Sequence, residues 1–286
     1  MNKSAIALLS TCLLVACGNS QKQQTADTTV AEAEQSTPAE GFQSGILTLQ
    51  GVRYEFALVE AGTFTMGATS ETPGVCTQEM PAHKVTLTHN YQIGKTEVTW
   101  GLWKAVMGSY PPQPNDNGDF VEVKEQPAKL PATYLTHIQC QEFIKKLNEL
   151  TGKSFRLPTE AEWEFAARGG NKSENYLYSG SNTLEEVAWL YDPDQPNHEV
   201  ATKKPNELGL YDMSGNVAEC CSDWWGIYSS DAQTDPAGPS SSKDDYPSRA
   251  VRGGNFDEDY CRITYRSGVD EGEIDTPVGF RLVISE

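Results

Sequence analysis

Apolar and polar residues alternate through residues 45–59 on either side of Gly51, the pattern of two strands joined in a hairpin. Shorter stretches at 61–67 and 83–88 predict further strands. The period then changes. From about Trp100 to Met107 the chain follows Thr99 and precedes Gly108, which marks both ends of a helix. Thr136 and Gln139 have capping-box spacing, Cys140, Phe143, Ile144 and Leu147 share one helical face, and Gly152 stands just beyond. Thr159 and Glu162 repeat the capping box, and Gly169-Gly170 stops a third helix. From residue 171 onward Gly, Pro, Asp, Asn and Ser dominate, so this half needs metal ions or disulfides to hold its loops. With no internal repeat and no second linker, residues 42–286 read as one α+β domain of mixed short strands and about three helices.

The start of the chain has a different character. Residues 1–16 carry Lys3 and then a short apolar stretch, the build of a secretory signal peptide. Leu14-Val15-Ala16-Cys17 resembles a bacterial lipobox, after which cleavage would leave Cys17 as a lipidated N-terminus. Residues 17–41 are polar and rich in small side chains, and they cannot bury enough apolar surface to order themselves. They read as a flexible tether with a reach of roughly 25 to 30 Å. No run approaches the roughly 18 apolar residues of a membrane-spanning helix. The expected location is the bacterial cell envelope, lipid-anchored, with the outer membrane favoured because no Asp follows Cys17.

Charge narrows the partners. Forty Asp and Glu against 22 Lys and Arg give a net of −18, which disfavours nucleic acid, whose binding is built on cationic neutralisation. Clustered acids instead suit a hard cation. Asp212, Ser214, Asn216, Glu219 and Asp223 fall close together around a glycine-bearing turn, a set that either binds calcium or forms a solvated Asp-initiated turn. His83, His89, His137 and His198 lack metal-ligand spacing. Trp103, Trp224 and Trp225 serve either as sugar-stacking faces or as core. Beyond Cys12 and Cys17, Cys76, Cys140, Cys220, Cys221 and Cys261 remain, an odd number that leaves a thiol over in an exported protein.

Six ordered motifs carry a family resemblance. Phe64-Thr-Met-Gly67, Tyr91-Gln-Ile-Gly-Lys-Thr-Glu-Val-Thr99, Arg156-Leu-Pro-Thr-Glu-Ala-Glu-Trp-Glu-Phe-Ala-Ala-Arg-Gly-Gly170, Gly209-Leu-Tyr-Asp-Met-Ser-Gly-Asn-Val217, Arg252-Gly-Gly254 and Gly279-Phe-Arg-Leu282 resemble the formylglycine-generating enzyme, or sulfatase-modifying factor, family. The resemblance implies a fold related to the C-type lectin, with little regular structure and calcium bracing its loops. It places one calcium at Asp212, Gly215, Val217 and Glu219, and another loosely within 186–200. Enzymes of that family oxidise a sulfatase cysteine to formylglycine with oxygen and a copper(I) ion held by two cysteine thiolates. Here the pattern departs. Asn255 stands where the family has serine, Glu258 where it has the first cysteine, and Ala218 where it has tryptophan; Cys261 reaches the second cysteine position only across a two-residue gap. Cys261 is thus the one catalytic candidate left, and one thiolate does not make the two-coordinate copper site. The resemblance also sets Cys221 near the Arg252-Gly-Gly strand, which suggests a Cys221–Cys261 disulfide. Cys220 competes for that role, Cys140 reads as a buried small hydrophobe, and Cys76 is without an assigned partner. The expectation is a non-catalytic binding or assembly module with an envelope protein or glycan partner; the alternative is the formylglycine-generating oxidase.

Overall fold

The computed structural model describes residues 40–285 apart from 116, 191–196, 242–246, 256–259 and 275. The expected signal peptide, nearly all of the tether, lipidated Cys17, and Glu258 lie outside the described residues.

The strands, in chain order, are β1 (Gly41–Gln43), β2 (Ile46–Leu49), β3 (Val52–Val59), β4 (Gly62–Met66), β5 (His83–Leu87), β6 (Tyr91–Gly94), β7 (Gln113–Pro114), β8 (Phe120–Val121), β9 (Phe155–Arg156), β10 (Ala218–Trp224), β11 (Gln233–Thr234), β12 (Ser248–Arg252), β13 (Arg266–Asp270), β14 (Val278–Gly279) and β15 (Val283–Ser285). The helices are α1 (Trp100–Met107), α2 (His137–Thr151), α3 (Glu160–Ala167) and the single-turn α4 (Leu184–Val187). The first three are those expected from the sequence. Thr99, Thr136 and Thr159 each accept a hydrogen bond from the backbone N–H three residues on, and Gln139 and Glu162 complete capping boxes. Gly108 and Gly152 close α1 and α2 in the left-handed conformation that glycine adopts without a Cβ penalty.

The expected hairpin joins β2 to β3. Leu49 faces Val52, so Gln50 and Gly51 form a two-residue turn, with φ of 49° and 78°, the twist that matches right-handed strands. A six-stranded sheet runs β1-β2-β3-β6-β15-β9 and is antiparallel throughout. A four-stranded sheet runs β13-β12-β10-β14, with the β10–β14 pair parallel, and β11-β5-β4 form a third.

Strand alternation divides the interior into two cores. On one side Tyr54 and Phe56 of β3, Cys220 of β10 and Val251 of β12 pack against the apolar faces of α1 and α2. On the other, Ala57 and Val59, Tyr91 and Ile93, Cys221 and Ala250 pack around α3. Every residue of α3 is buried, three glutamates included, so this short helix carries acids into the interior that must find counter-charges there.

Candidate functional site

Those counter-charges are arginines from β9, β12, β13 and the residue that caps the end of α3. Arg252 donates to Glu160 at 2.9 Å and to Glu164 at 2.6 Å, while Arg266 holds both oxygens of Glu160 at 2.6 and 2.7 Å. Arg168 closes on Glu164, and Arg156 takes both oxygens of Glu162. Burial alone would raise the Glu160 carboxyl, but Arg266 and Arg252 outweigh it and press the group down to about 2. A separate pair, Glu79 with Arg262, ties the loop before β5 to the segment before β13.

Beside Arg252, the Gly253-Gly254 turn opens a cavity of about 210 Å³ lined by Ala218, Arg252, Gly254, Asn255, Tyr265, Ser267 and Thr276, among others. Among the described residues no cysteine lines it. Cys261 is buried behind this wall, its thiol directed at the Asn255 carbonyl at 4.0 Å. A copper(I) ion needs two thiolates, and the described lining supplies none, so the donor set here does not fit that metal. Ala218, in place of the family tryptophan, is one wall of the opening.

The expected Cys221–Cys261 disulfide is not formed. Both stand as thiols, Cys221 within the α3 core and Cys261 against the Gly254-Asn255 turn. The adjacent Cys220 points into the opposite core, because neighbouring residues of a strand face opposite sides.

The calcium-ligand candidates do come together, though not as an equal set. Asp212, Gly215 and Asn216 have φ of 57°, 79° and 60°, a turn folded so closely that a Cβ on Gly215 would lie 2.7 Å from the Trp189 carbonyl oxygen. The turn delivers Val217 and Glu219 into the interior. Glu219 is committed to protein partners: Arg281 holds its two oxygens at 2.6 Å each and Trp163 Nε1 donates at 2.8 Å. Asp212 accepts from Ala201 N–H through Oδ2 at 2.7 Å, while its buried Oδ1 has no partner.

Glu97, which sequence reasoning missed as a ligand, completes the arrangement. It is fully buried, its Oε1 accepts from Asn216 Nδ2 at 3.1 Å, its Oε2 has no partner, and its carboxyl is near enough to Asp212 for the two charges to act on each other. The only hint in the sequence was an acid set directly before the apolar start of α1. Burial, then the charges of Asp212 and Glu219, push Glu97 well above the usual carboxylate range. Burial outweighs the Ala201 amide and Arg281, lifting Asp212 to about 6. Arg281 acts on Glu97, Asp212 and Glu219 alike, one guanidinium among three carboxylates.

Two neighbouring buried carboxylates, each with an oxygen that has no hydrogen-bond partner, fit a hard cation, with carbonyl oxygens from the turn as further donors. Among the described residues no three His, Cys, Asp or Glu side chains converge as ligands, consistent with Glu219 being neutralised by Arg281. The looser expectation within 186–200 falls partly outside the described residues, and Glu186 itself bonds Ser181 and pairs with Lys204. Trp103 is core, stacked on Phe143, Trp224 lies under Arg249 and Trp225 packs against the α3 core.

Among the described residues no helix is long and apolar enough to cross a membrane. The profile of the sulfatase-modifying factor enzyme 1-like domain matches residues 50–286. The chaperone protein LppX of Paenibacillus barcinonensis is 34% identical over 217 residues, which cover 59% of this chain and 71% of that protein. The formylglycine-generating enzyme of Mus musculus is 35% identical over 147 residues, 44% of this chain and only 38% of the enzyme. Among solved structures, Treponema denticola variable protein 1 is 31% identical with a TM-score of 0.70, covering 84% of this chain and 98% of that one. PvdO from Pseudomonas aeruginosa is 25% identical with a TM-score of 0.68, covering 86% and 100%.

Proposed function

Because this chain belongs to the sulfatase-modifying factor enzyme 1-like domain family, we propose that it is a non-catalytic member: a lipid-anchored, calcium-braced binding or assembly module of the bacterial envelope. The observation that carries the loss of catalysis is the cavity beside Arg252, where Asn255 stands at the serine position and the described lining offers no thiol. Cys261, the sole candidate nearby, is buried against the Asn255 carbonyl. A protein partner is favoured over a glycan, because the similar LppX is named a chaperone and Trp103 is not exposed for sugar stacking.

Calcium would be held by Asp212 and Glu97, with carbonyl oxygens of the turn bearing Gly215 and Val217. Bound there, the ion neutralises two buried carboxylates and cross-links the segment before α1 to the segment before β10. Asn216 supports the pair by donating to Glu97 and to the His198 carbonyl. Cys17 would carry the lipid, and the polar segment after it would hold the domain off an outer membrane. Cys17→Ala is then expected to move the protein from the membrane fraction to the soluble one; a variant that stays lipid-labelled refutes the anchor.

Catalysis is tested by incubating the protein with copper(I), oxygen and a peptide bearing the sulfatase Cys-x-Pro-x-Arg motif, with the aldehyde product sought by mass spectrometry. No conversion is expected. Conversion that disappears in Cys261→Ser would overturn the non-catalytic reading in favour of the oxidase.

A further inference from the structure

A second cavity, of about 200 Å³, lies between the start of α3, the start of β5 and the loops on either side of β11, with Asp223 of β10 in its wall. Asp223 is only 3% exposed, and both of its hydrogen bonds, from Glu160 N–H and from the Ser222 hydroxyl, each at 3.0 Å, end on Oδ2. Among the described residues no donor reaches Oδ1. That oxygen lies beside Gly238 in the same wall, where an added Cβ would stand 3.1 Å from it. Its surroundings do not balance its charge: burial, then Glu160, lift the carboxyl to about 7. Arg266 also lines the cavity, but Glu160 takes its charge at 2.6 and 2.7 Å, and the Gln78 and Gly226 carbonyls accept from its Nη1. An anion would have to share that neutralised guanidinium and would meet Asp223. His83 adds an acceptor, because its Nδ1 donates to the Pro81 carbonyl at 3.1 Å and Nε2 is then unprotonated. The remaining walls include hydrocarbon from Met66, Pro236 and Pro239, and Ile227, 86% exposed, borders the opening.

We propose that this cavity binds a primary alkylammonium group, the ammonium donating to Asp223 Oδ1 and the alkyl chain lying against Met66, Ile227 and Pro239. One open carboxylate oxygen suits a compact ammonium. A guanidinium seeks both oxygens of a carboxylate, and here Oδ2 is already taken. A quaternary ammonium needs an open aromatic face, and Arg266 already covers the Tyr228 ring at 3.9 Å. A divalent cation needs several oxygen ligands, and hydrocarbon walls do not supply them. The site deepens the binding role proposed above and rests on that reading only for the source of the amine, a lysine side chain of the protein partner or a free amine of the same chemistry.

The test uses full-length protein with ¹³C-labelled isoleucine and methionine methyl groups, titrated at pH 8 with n-butylamine hydrochloride and followed by NMR. The Ile227 and Met66 methyl signals should shift saturably. In Asp223→Asn the amide oxygen can keep the Glu160 bond while its NH₂ faces the cavity, so affinity should fall roughly tenfold or more. Each CH₂ removed from the amine should weaken binding roughly fourfold. Ile227→Ser, at an exposed position, should weaken n-butylamine several-fold, read from Met66. No saturable shift, an equal shift with sodium chloride at the same ionic strength, equal binding of n-butyrate, or unchanged affinity in Asp223→Asn overturns the site. A second arm uses Nα-acetyl-lysine amide. Binding that matches n-butylamine supports the lysine source; binding of n-butylamine alone keeps the site and overturns that source. Aldehyde formation in the copper assay with n-butylamine binding intact overturns only the non-catalytic reading.

Discussion

Two groups of buried acids sit within one domain and solve opposite problems. Around α3, Glu160, Glu162 and Glu164 are each matched by guanidinium groups at 2.6 to 2.9 Å, and the Glu160 carboxyl is held at about 2. Elsewhere Glu97, from the segment before α1, neighbours Asp212, from the turn before β10; each has an oxygen left over, and Asp212 is lifted to about 6. Burial disfavours charge in both places. The difference is supply: the first group has its own cations, on β9, β12, β13 and just past α3, whereas the second shares Arg281 with Glu219 and would be relieved by a proton or an added cation.

The sharpest way to break the self-sufficient group is to remove its central cation. Arg252→Ala leaves Glu164 and Glu160 short of a partner in a site where Arg252 itself is almost fully buried. A loss of about 3–5 kcal/mol is expected in denaturant titration, enough to abolish a cooperative transition in a marginal domain; a loss under about 1 kcal/mol would mean the lattice contributes little. The same chemical change should then have opposite signs in the two regions. Glu164→Gln removes a paired charge and should cost roughly 2–3 kcal/mol. Glu97→Gln, measured without calcium, removes a conflict with Asp212 and should be neutral or stabilising by about 1 kcal/mol. Equal losses at both positions would erase the distinction.

A smaller effect reports on an acid at the edge of the lattice. Burial, then the charge of Glu160, lift the Asp223 carboxyl to about 7, although it accepts from Glu160 N–H and Ser222. Between the unfolded value of 3.8 and about 7 the folded state binds more protons than the unfolded one, so this group lowers stability as pH rises through that window. Asp223→Asn should remove that slope, gaining on the order of 2 kcal/mol relative to the parent at pH 8 and little at pH 4; parallel pH profiles would contradict it. Smallest is Thr136→Ala, which deletes the capping box of α2, away from both acid groups, and should cost about 1 kcal/mol.

How far the sequence is legible follows the range of the interactions. Helices α1 to α3 and the β2–β3 hairpin are written locally, by Thr99, Thr136 and Thr159 as caps and by Gln50-Gly51 as a turn. The insertion of β15 between β6 and β9 is not, because short strands separated by more than a hundred residues carry no register signal. The turn at Asp212 is recognisable from its motif, yet its partner Glu97 comes from a distant segment, and the commitment of Glu219 to Arg281 depends on how the chain end folds back. The cysteines show the same limit: alternation along β10 sends Cys220 and Cys221 into opposite cores, a division invisible without knowing which core each face meets.

The contrast between the two groups reduces to whether the second binds a cation. Full-length protein freed of metal with a chelator and titrated with calcium should show a saturable rise in melting temperature of roughly 5 to 10 °C, as expected for a ligand at about a hundred times its Kd. Asp212→Asn should fold and lose that response, while Glu164→Gln should keep it. A wild-type melting temperature that is the same with and without calcium would contradict the assignment.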